Sequence, residues 1–144
     1  MWRVTLGILL LGAGLLAWAL SNPERRRARL VNRLEVGDDA ARITALLGRP
    51  GATCRGGPLD HLRDRFPTGT PPAAMEQALA RMEKETAERW VFPLRSEGRA
   101  GCVPGRGATE VGLDRRRRVL WYVPVTGRVP VVVAEGYLPA ATVT

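Results

Sequence analysis

The chain has 144 residues, of which 45% are hydrophobic and 25% are charged. This length and composition allow one domain of ordinary size plus a tail or an anchor, and they exclude a second domain of that size. The net charge of +8 rests almost wholly on arginine, because Lys84 is the only lysine. An excess of this kind is typical either of a GC-rich coding sequence or of a protein selected to bind a polyanionic partner.

The N-terminal segment is apolar, since the seventeen residues from Val4 to Leu20 carry no charge. At about 1.5 Å per residue, such a helix lies at the short limit for crossing a hydrocarbon core of about 30 Å. Two interpretations stay open. The small residues of Ala17-Trp18-Ala19 suit cleavage of a signal peptide, whereas Trp2 and Trp18 suit the two interfaces of a retained anchor. We therefore expect residues 1–21 to be a signal anchor or a signal peptide.

A basic segment follows, and residues 22–35 are predicted to be a juxtamembrane linker or a short basic helix. Its arginines would attract anionic lipid head groups, at about 1 kcal/mol each, if the apolar helix remained in a bilayer. Taken literally, the positive-inside rule would leave the C-terminal domain in the cytoplasm, whereas the signal-like N-terminus favours export. We expect a bacterial cell-envelope protein, anchored in the inner membrane or periplasmic, with its orientation open. The arginines concerned are Arg25, Arg26, Arg27 and Arg29.

A short helix is predicted over Asp38–Leu47, at the start of the domain. Asp38 or Asp39 can cap its N-terminus by accepting hydrogen bonds from free backbone N–H groups. Gly48 and Pro50 end it, because glycine adopts the left-handed conformation readily and proline cannot continue a helix. One face is expected to be buried, since four apolar residues recur at helical spacing: Val36, Ala40, Ile43 and Leu47.

Two glycine-rich loops are predicted, and each contains one cysteine. The first, residues 51–69, also holds the only histidine, His61, which we expect to be exposed and without a catalytic role. Cys54 and Cys102 lie away from any cluster of metal-ligating residues. In an exported protein they would form a disulfide that stabilises the fold by roughly 2–4 kcal/mol, whereas in a reducing compartment they would remain two thiols.

A second helix is predicted over residues 72–88, with Thr70 as its cap and Pro71 at its first position. Met75, Leu79 and Met82 form a stripe at helical spacing, which indicates packing on a sheet or an adaptable partner surface.

Three segments downstream alternate like strands: residues 90–94, 109–113 and 119–125. The alternation places Trp90, Phe92, Leu113 and Trp121 on one buried face of an antiparallel sheet. Residues 129–133 would add a fourth strand, and Asp114–Arg118 would form the hairpin turn. The predicted fold class is α+β, with two helices packed on one face of a three- or four-stranded antiparallel sheet, preceded by an N-terminal hydrophobic helix. The domain would cover residues 36–134, and residues 135–144 would form a tail.

Three short motifs carry a resemblance to a known family. They are V-G-x-x-x-x-x-I-x-x-L-L-G-x-P over residues 36–50, W-V-F over residues 90–92, and V-x-L-D-x-x-x-R-V over residues 111–119. This pattern resembles the SmpA/OmlA (BamE-like) family of outer-membrane assembly lipoproteins. The resemblance implies a small exported α+β scaffold that binds partner proteins; binding of anionic lipid belongs to the BamE members of the family and is not carried over to this chain. The chain departs from the family by its inserted helix, by the absence of a lipid-attachment cysteine after the apolar run, and by Arg117, where the family usually offers a glycine.

The sequence contains no motif of a catalytic site: it lacks a nucleophile elbow, a Cys/His dyad signature and a phosphate-binding loop. We therefore expect no enzyme, no cofactor and no metal. The predicted function is a cell-envelope interaction or scaffold module with a protein partner. The alternative is an inward-facing membrane-anchored domain that binds anionic lipid or, less favoured, nucleic acid through its arginines. The candidate contacts with an anionic partner are Arg115, Arg116, Arg117 and Arg118.

Overall fold

The structure is a computed structural model, and it describes residues 2–21, 23–92, 101–102, 108–124 and 131–138. The helices are α1 (Trp2–Ser21), α2 (Pro23–Val31), α3 (Ala40–Leu47) and α4 (Pro72–Glu85), with a 3₁₀ helix over Asp60–Arg65. The strands are β1 (Ala52–Arg55), β2 (Glu88–Phe92), β3 (Thr109–Leu113) and β4 (Val119–Val123). They form one antiparallel sheet in the order β1-β2-β3-β4.

The sheet is buried on both faces, and a bulge in β4 changes which of its side chains point to each face. Leu113 pairs with Val119 and Gly112 pairs with Trp121, so Leu120 is an extra residue that reverses the alternation of the strand. Val119 therefore packs on one face and Trp121 on the other. The indole of Trp121 lies directly over Gly112, where a Cβ atom would meet the ring at 2.2 Å. Only glycine leaves room for this packing.

The first face is covered by α2 and α3. The α3 helix begins at Ala40, two residues after the predicted start, and Asp39 is its cap, as one of the two predicted alternatives had it. Asp39 Oδ1 accepts a hydrogen bond from the backbone N–H of Arg42 at 2.8 Å. Ile43 is fully buried against this face. Val31 and Leu34, which lie in the segment predicted to be a linker, are 0% and 2% exposed and belong to the same cluster. The packed core therefore begins before residue 36.

The second face is covered by α4 and the 3₁₀ helix. Leu79 and Met82 of α4 and Leu62 of the 3₁₀ helix pack against Trp121. The indole N–H of Trp121 donates a hydrogen bond to Thr86 Oγ1 at 2.9 Å, just beyond the end of α4. This bond satisfies the polar edge of the largest fully buried side chain and fixes α4 along the sheet.

The fold class predicted from the sequence is confirmed: it is α+β, with an antiparallel sheet and a preceding N-terminal helix. The two predicted helices lie on opposite faces rather than on one, since α3 and α4 contribute to different clusters. The fourth strand is β1, from a segment predicted to be a loop. Of the segment predicted as that strand, Val133 makes a single bridge to Tyr122. Residues 125–130 lie outside the described residues.

The prediction of a signal anchor or transmembrane helix is wrong. Among the described residues, no helix combines the length and the apolar character needed to cross a membrane. Several large apolar side chains of α1 are exposed, including Leu6, Leu11 and Leu16 at 64%, 69% and 63%.

Candidate anion-binding surface

The predicted arginine turn forms the tip of the β3–β4 hairpin, and Asp114 holds its backbone. Asp114 Oδ1 accepts hydrogen bonds from the N–H groups of Arg116 and Arg118 at 2.8 and 2.9 Å. The N–H of Arg117 donates to the carbonyl of Asp114 at 2.9 Å, and Arg117 adopts a left-handed backbone with φ of 60°. The sequence therefore places an arginine where this type of turn favours glycine.

A second set of backbone bonds fixes the base of the turn. The N–H of Val119 donates to the carbonyl of Asp38, and the N–H of Gly37 donates to the carbonyl of Val119, both at 2.8 Å. Asp39 and Arg118 form a β-bridge beside them. The turn is therefore attached to the residues that lead into α3, and its arginines project from a rigid base.

Arg117 is the arginine of the turn that packs on the domain. Its guanidinium lies over the ring of Trp90, 5.3 Å from the ring centroid, and its Nε atom is 3.7 Å from Glu88 Oε2. Arg115, Arg116 and Arg118 are exposed. Within the described part of the chain, no carboxylate lies within 4.0 Å of these three guanidinium groups. Three of the four predicted contacts thus carry positive charges that form no ion pair with any residue that the structure describes.

An open cleft of about 320 Å³ runs from the turn to the edge strand β1. Arg55 of β1 is exposed, and it too has no ion-pair partner among the residues that the structure describes. Glu88 is engaged, since it accepts a hydrogen bond from Trp90 Nε1 at 2.8 Å and lies beside Arg117. The charged and polar lining of the cleft consists of Thr53, Arg55, Glu88, Asp114, Arg115 and Arg117. Its three arginines exceed its two carboxylates by one, so the cleft has a small excess of positive charge.

The other predicted basic cluster, on α2, is partly built into the domain. Arg27 Nη1 donates a hydrogen bond to the carbonyl of Phe92 at 3.2 Å, and burial lowers the pKa of Arg27. Arg26 and Arg29 are exposed on the same helix. The side chain of Arg25 lies outside the described part of the chain.

The two cysteines are joined. The Cys54–Cys102 disulfide connects two positions whose Cα atoms are 5.7 Å apart, within the range in which bridges form. It links β1 to the segment between β2 and β3, and Cys54 also contributes to the wall of the cleft. The structure thus brings three of the residues singled out in the sequence to the same cleft: Cys54, Arg115 and Arg117.

A buried charged cluster lies on the α4 side of the sheet. Arg89 Nη1 donates to Glu110 Oε1 at 2.7 Å, and His61 Nε2 lies 2.8 Å from Glu110 Oε2. The side chains of Glu110 and Arg89 are 2% and 9% exposed, whereas that of His61 is 29% exposed. Arg89 Nη1 also donates to the carbonyl of Cys102 at 3.2 Å. His61 is therefore paired with a buried carboxylate and is partly buried itself, whereas an exposed position was expected from the sequence.

One signal in the sequence points to this pair. Arg89 and Glu110 each interrupt a strand that is otherwise mainly apolar, at positions that the register of β2 and β3 brings diagonally opposite on one face. The contribution of His61 has no such signal, because it comes from a separate 3₁₀ helix. Among the described residues, no group of three His, Cys, Asp or Glu side chains has the arrangement of a metal site.

Comparison with known proteins gives no relative: no family model, no curated protein and no solved structure matches the chain. The SmpA/OmlA resemblance therefore stays a prediction.

Proposed function

We propose that this chain is a non-enzymatic interaction module of the bacterial cell envelope, which binds an anionic partner protein through the arginine turn and the adjoining cleft. The observation that carries the proposal is a set of three exposed guanidinium groups that have no ion-pair partner among the described residues: Arg55 and Arg115 line the open cleft, and Arg116 lies next to Arg115 in the turn. Guanidinium groups bind carboxylates through two parallel hydrogen bonds, which makes arginine well suited to such a surface.

Stability gives no reason to place four consecutive arginines at the tip of a hairpin. Neighbouring like charges near a surface repel one another by a few tenths to about 1 kcal/mol per pair at physiological salt. Arg115 and Arg116 make no side-chain hydrogen bond or ion pair within the described residues, so the fold does not offset this repulsion. Binding of an anionic partner would offset it.

The disulfide supports the envelope location. Disulfides persist in oxidising compartments and are rare in the cytosol of most organisms. The Cys54–Cys102 bridge adjoins the cleft, so the surface that we assign to binding would depend on the oxidised state. This observation favours export over the inward-facing alternative, in which the arginines would meet nucleic acid.

The proposal is tested by binding of the full chain to immobilised poly-glutamate over a series of salt concentrations. R115S/R116S removes two charges from the turn, and R33S/R42S is the matched control, since Arg33 and Arg42 are exposed but do not line the cleft. At roughly 0.2–1 kcal/mol per exposed ion pair, the turn variant should bind about two- to thirtyfold more weakly than the parent. Equal weakening by both double variants, or no binding by the parent at low salt, would contradict the proposal.

A further inference from the structure

The two edges of the sheet differ. The β4 edge is closed, because Tyr122 exchanges two backbone hydrogen bonds with Val133, at 2.8 and 3.0 Å, and Val119 is bonded to residues 37 and 38. At the end of β1, the N–H of Gly56 donates to the carbonyl of Ala87, so the N–H of Gly56 points toward β2. Successive residues of an antiparallel strand direct their N–H and C=O groups alternately toward and away from the neighbouring strand. Ala52 and Cys54 therefore direct their backbone groups toward β2.

It follows that Thr53 and Arg55 direct their N–H and C=O groups outward. No backbone or side-chain partner for these four groups occurs within the residues that the structure describes. An edge strand of this kind can pair with an additional extended segment. The open edge and the positive cleft adjoin each other, because Thr53 and Arg55 belong to both.

Charge decides what such a segment should be. Arg55 lies on the edge itself, with Arg115 and Arg117 in the same cleft. A second copy of this chain would bring its own Arg55 and a net charge of +8 to the contact, and like charges disfavour that pairing. An acidic segment would be attracted by the same arginines, so the edge discriminates between occupants by charge.

The geometry of an added strand also selects the chemistry of the partner. Successive side chains of a strand point to opposite faces, so every second residue of the segment would lie over the cleft. A glutamate or aspartate there would meet Arg55 and Arg115. The backbone groups of Thr53 and Arg55 require amide N–H and C=O partners in register, which a peptide provides along its whole length and a phospholipid head group does not.

We propose that the outer edge of β1 and the adjoining cleft bind an extended acidic peptide segment as a fifth strand of the sheet. This inference rests on the proposed function and names the chemistry of its partner: alternate acidic side chains contact the arginines, and the peptide backbone pairs with Thr53 and Arg55.

The first test uses a heptapeptide with glutamate at every second position and valine between, and a counterpart with N-methyl groups on the amides that would face β1. Fluorescence anisotropy with the full chain measures both dissociation constants. The N-methyl peptide has the same charge but cannot donate the ladder hydrogen bonds, so it should bind at least about tenfold more weakly. R55S/R115S should weaken binding of the unmodified peptide by about two- to thirtyfold, whereas R33S/R42S should change it much less.

The second test changes the edge without changing its charge. Thr53→Pro removes an outward N–H that β2 does not use, so it should abolish pairing while the internal ladder is kept. Thr53→Val keeps the N–H and the β-branched shape and should bind like the parent. Circular dichroism and the thermal midpoint show whether the proline variant is folded. If it is not, the N-methyl peptide still tests the added strand, through the hydrogen bonds that the peptide N–H groups would donate to the carbonyls of β1.

The outcomes separate this inference from the proposed function. Equal affinity for the methylated and unmethylated peptides, with poly-glutamate binding still sensitive to R115S/R116S, would overturn the added strand and leave the function standing. Failure of every acidic probe to bind would overturn both. Binding to phosphatidylglycerol vesicles without any binding of the peptide would also overturn the inference and would assign the arginines to lipid.

Discussion

Replacement of Glu110 by glutamine should strongly destabilise the protein. The substitution preserves the shape of the side chain but removes the negative charge that Arg89 faces at 2.7 Å, in a cluster where the two side chains are 2% and 9% exposed. Loss of one partner from a buried ion pair leaves the other charge uncompensated and costs about 3–5 kcal/mol. His61→Ala should cost less, about 1–2 kcal/mol, because His61 is 29% exposed and water can replace part of its contact.

A double-mutant cycle isolates the interaction. R89M/E110L replaces both charges by apolar side chains of similar length, and it should be more stable than R89M or E110L alone because no buried charge lacks a partner. Arg89 Nε already has no hydrogen-bond partner among the described residues, so the apolar pair loses little. Urea unfolding of the full chain, followed by tryptophan fluorescence, gives the free energies of unfolding. A cost below about 1 kcal/mol for Glu110→Gln, or additive effects of the single variants, would refute this reasoning.

Four further predictions follow from single features. The Arg117→Gly variant should be about 1 kcal/mol more stable than the Arg117→Ala variant. Both variants lose the contact with the ring of Trp90, but only glycine adopts φ of 60° without strain. A thermal midpoint of the alanine variant at or above that of the glycine variant would argue against this prediction. Removal of the disulfide, which spans 48 residues, by mutation of both cysteines to alanine should lower the free energy of unfolding by about 4 kcal/mol, as measured in urea. Both tyrosines should ionise above their usual pKa of about 10, because burial raises the pKa of Tyr122 and of Tyr137, with nearby carboxylates adding to it. The stability that these raised pKa values contribute is fully present below pH about 10 and is lost as the pH rises beyond it; half-formation of tyrosinate absorbance at pH 10 in the folded protein would contradict this. Alkaline phosphatase fused to the C-terminus should be active, since that reporter requires an oxidising compartment, whereas activity of a cytoplasmic reporter alone would place the domain inside the cell.

The local elements were largely predictable from the sequence, because their signals are local. The pattern around Asp39 and Gly48 predicted α3 with its cap and its end. The α4 helix begins one residue later than its predicted cap and first position indicated, because Pro71 rather than Thr70 is the N-cap and Pro72 is the first helical residue. The alternation of residues 109–113 gave β3 its observed bounds. The hairpin between β3 and β4 was predicted at Asp114–Arg118, because a turn must interrupt two apolar runs that close together.

The assignment of side chains to the two faces of the sheet depended on tertiary structure. Strict alternation placed Trp121 on the same face as Trp90 and Phe92, whereas the bulge at Leu120 turns it to the other face, where it packs over Gly112. A bulge is one extra residue in the pairing of two strands, so it is defined by the register between β3 and β4 rather than by the sequence of β4 alone. The helices are divided between the faces, since each face presents its own large side chains to be covered.

For the candidate site, too, one part was predictable from the sequence and another part was decided only by the tertiary structure. The sequence by itself determined that four consecutive arginines form an exposed turn, because their charge excludes them from the core and a hairpin requires polar residues at its tip. Only the tertiary structure decided that Arg55 and the open edge of β1 lie beside that turn, and that His61 meets Glu110. These contacts join residues that are distant in the chain, and they depend on the order and register of the strands, which pairing across the whole sheet selects and no local pattern encodes.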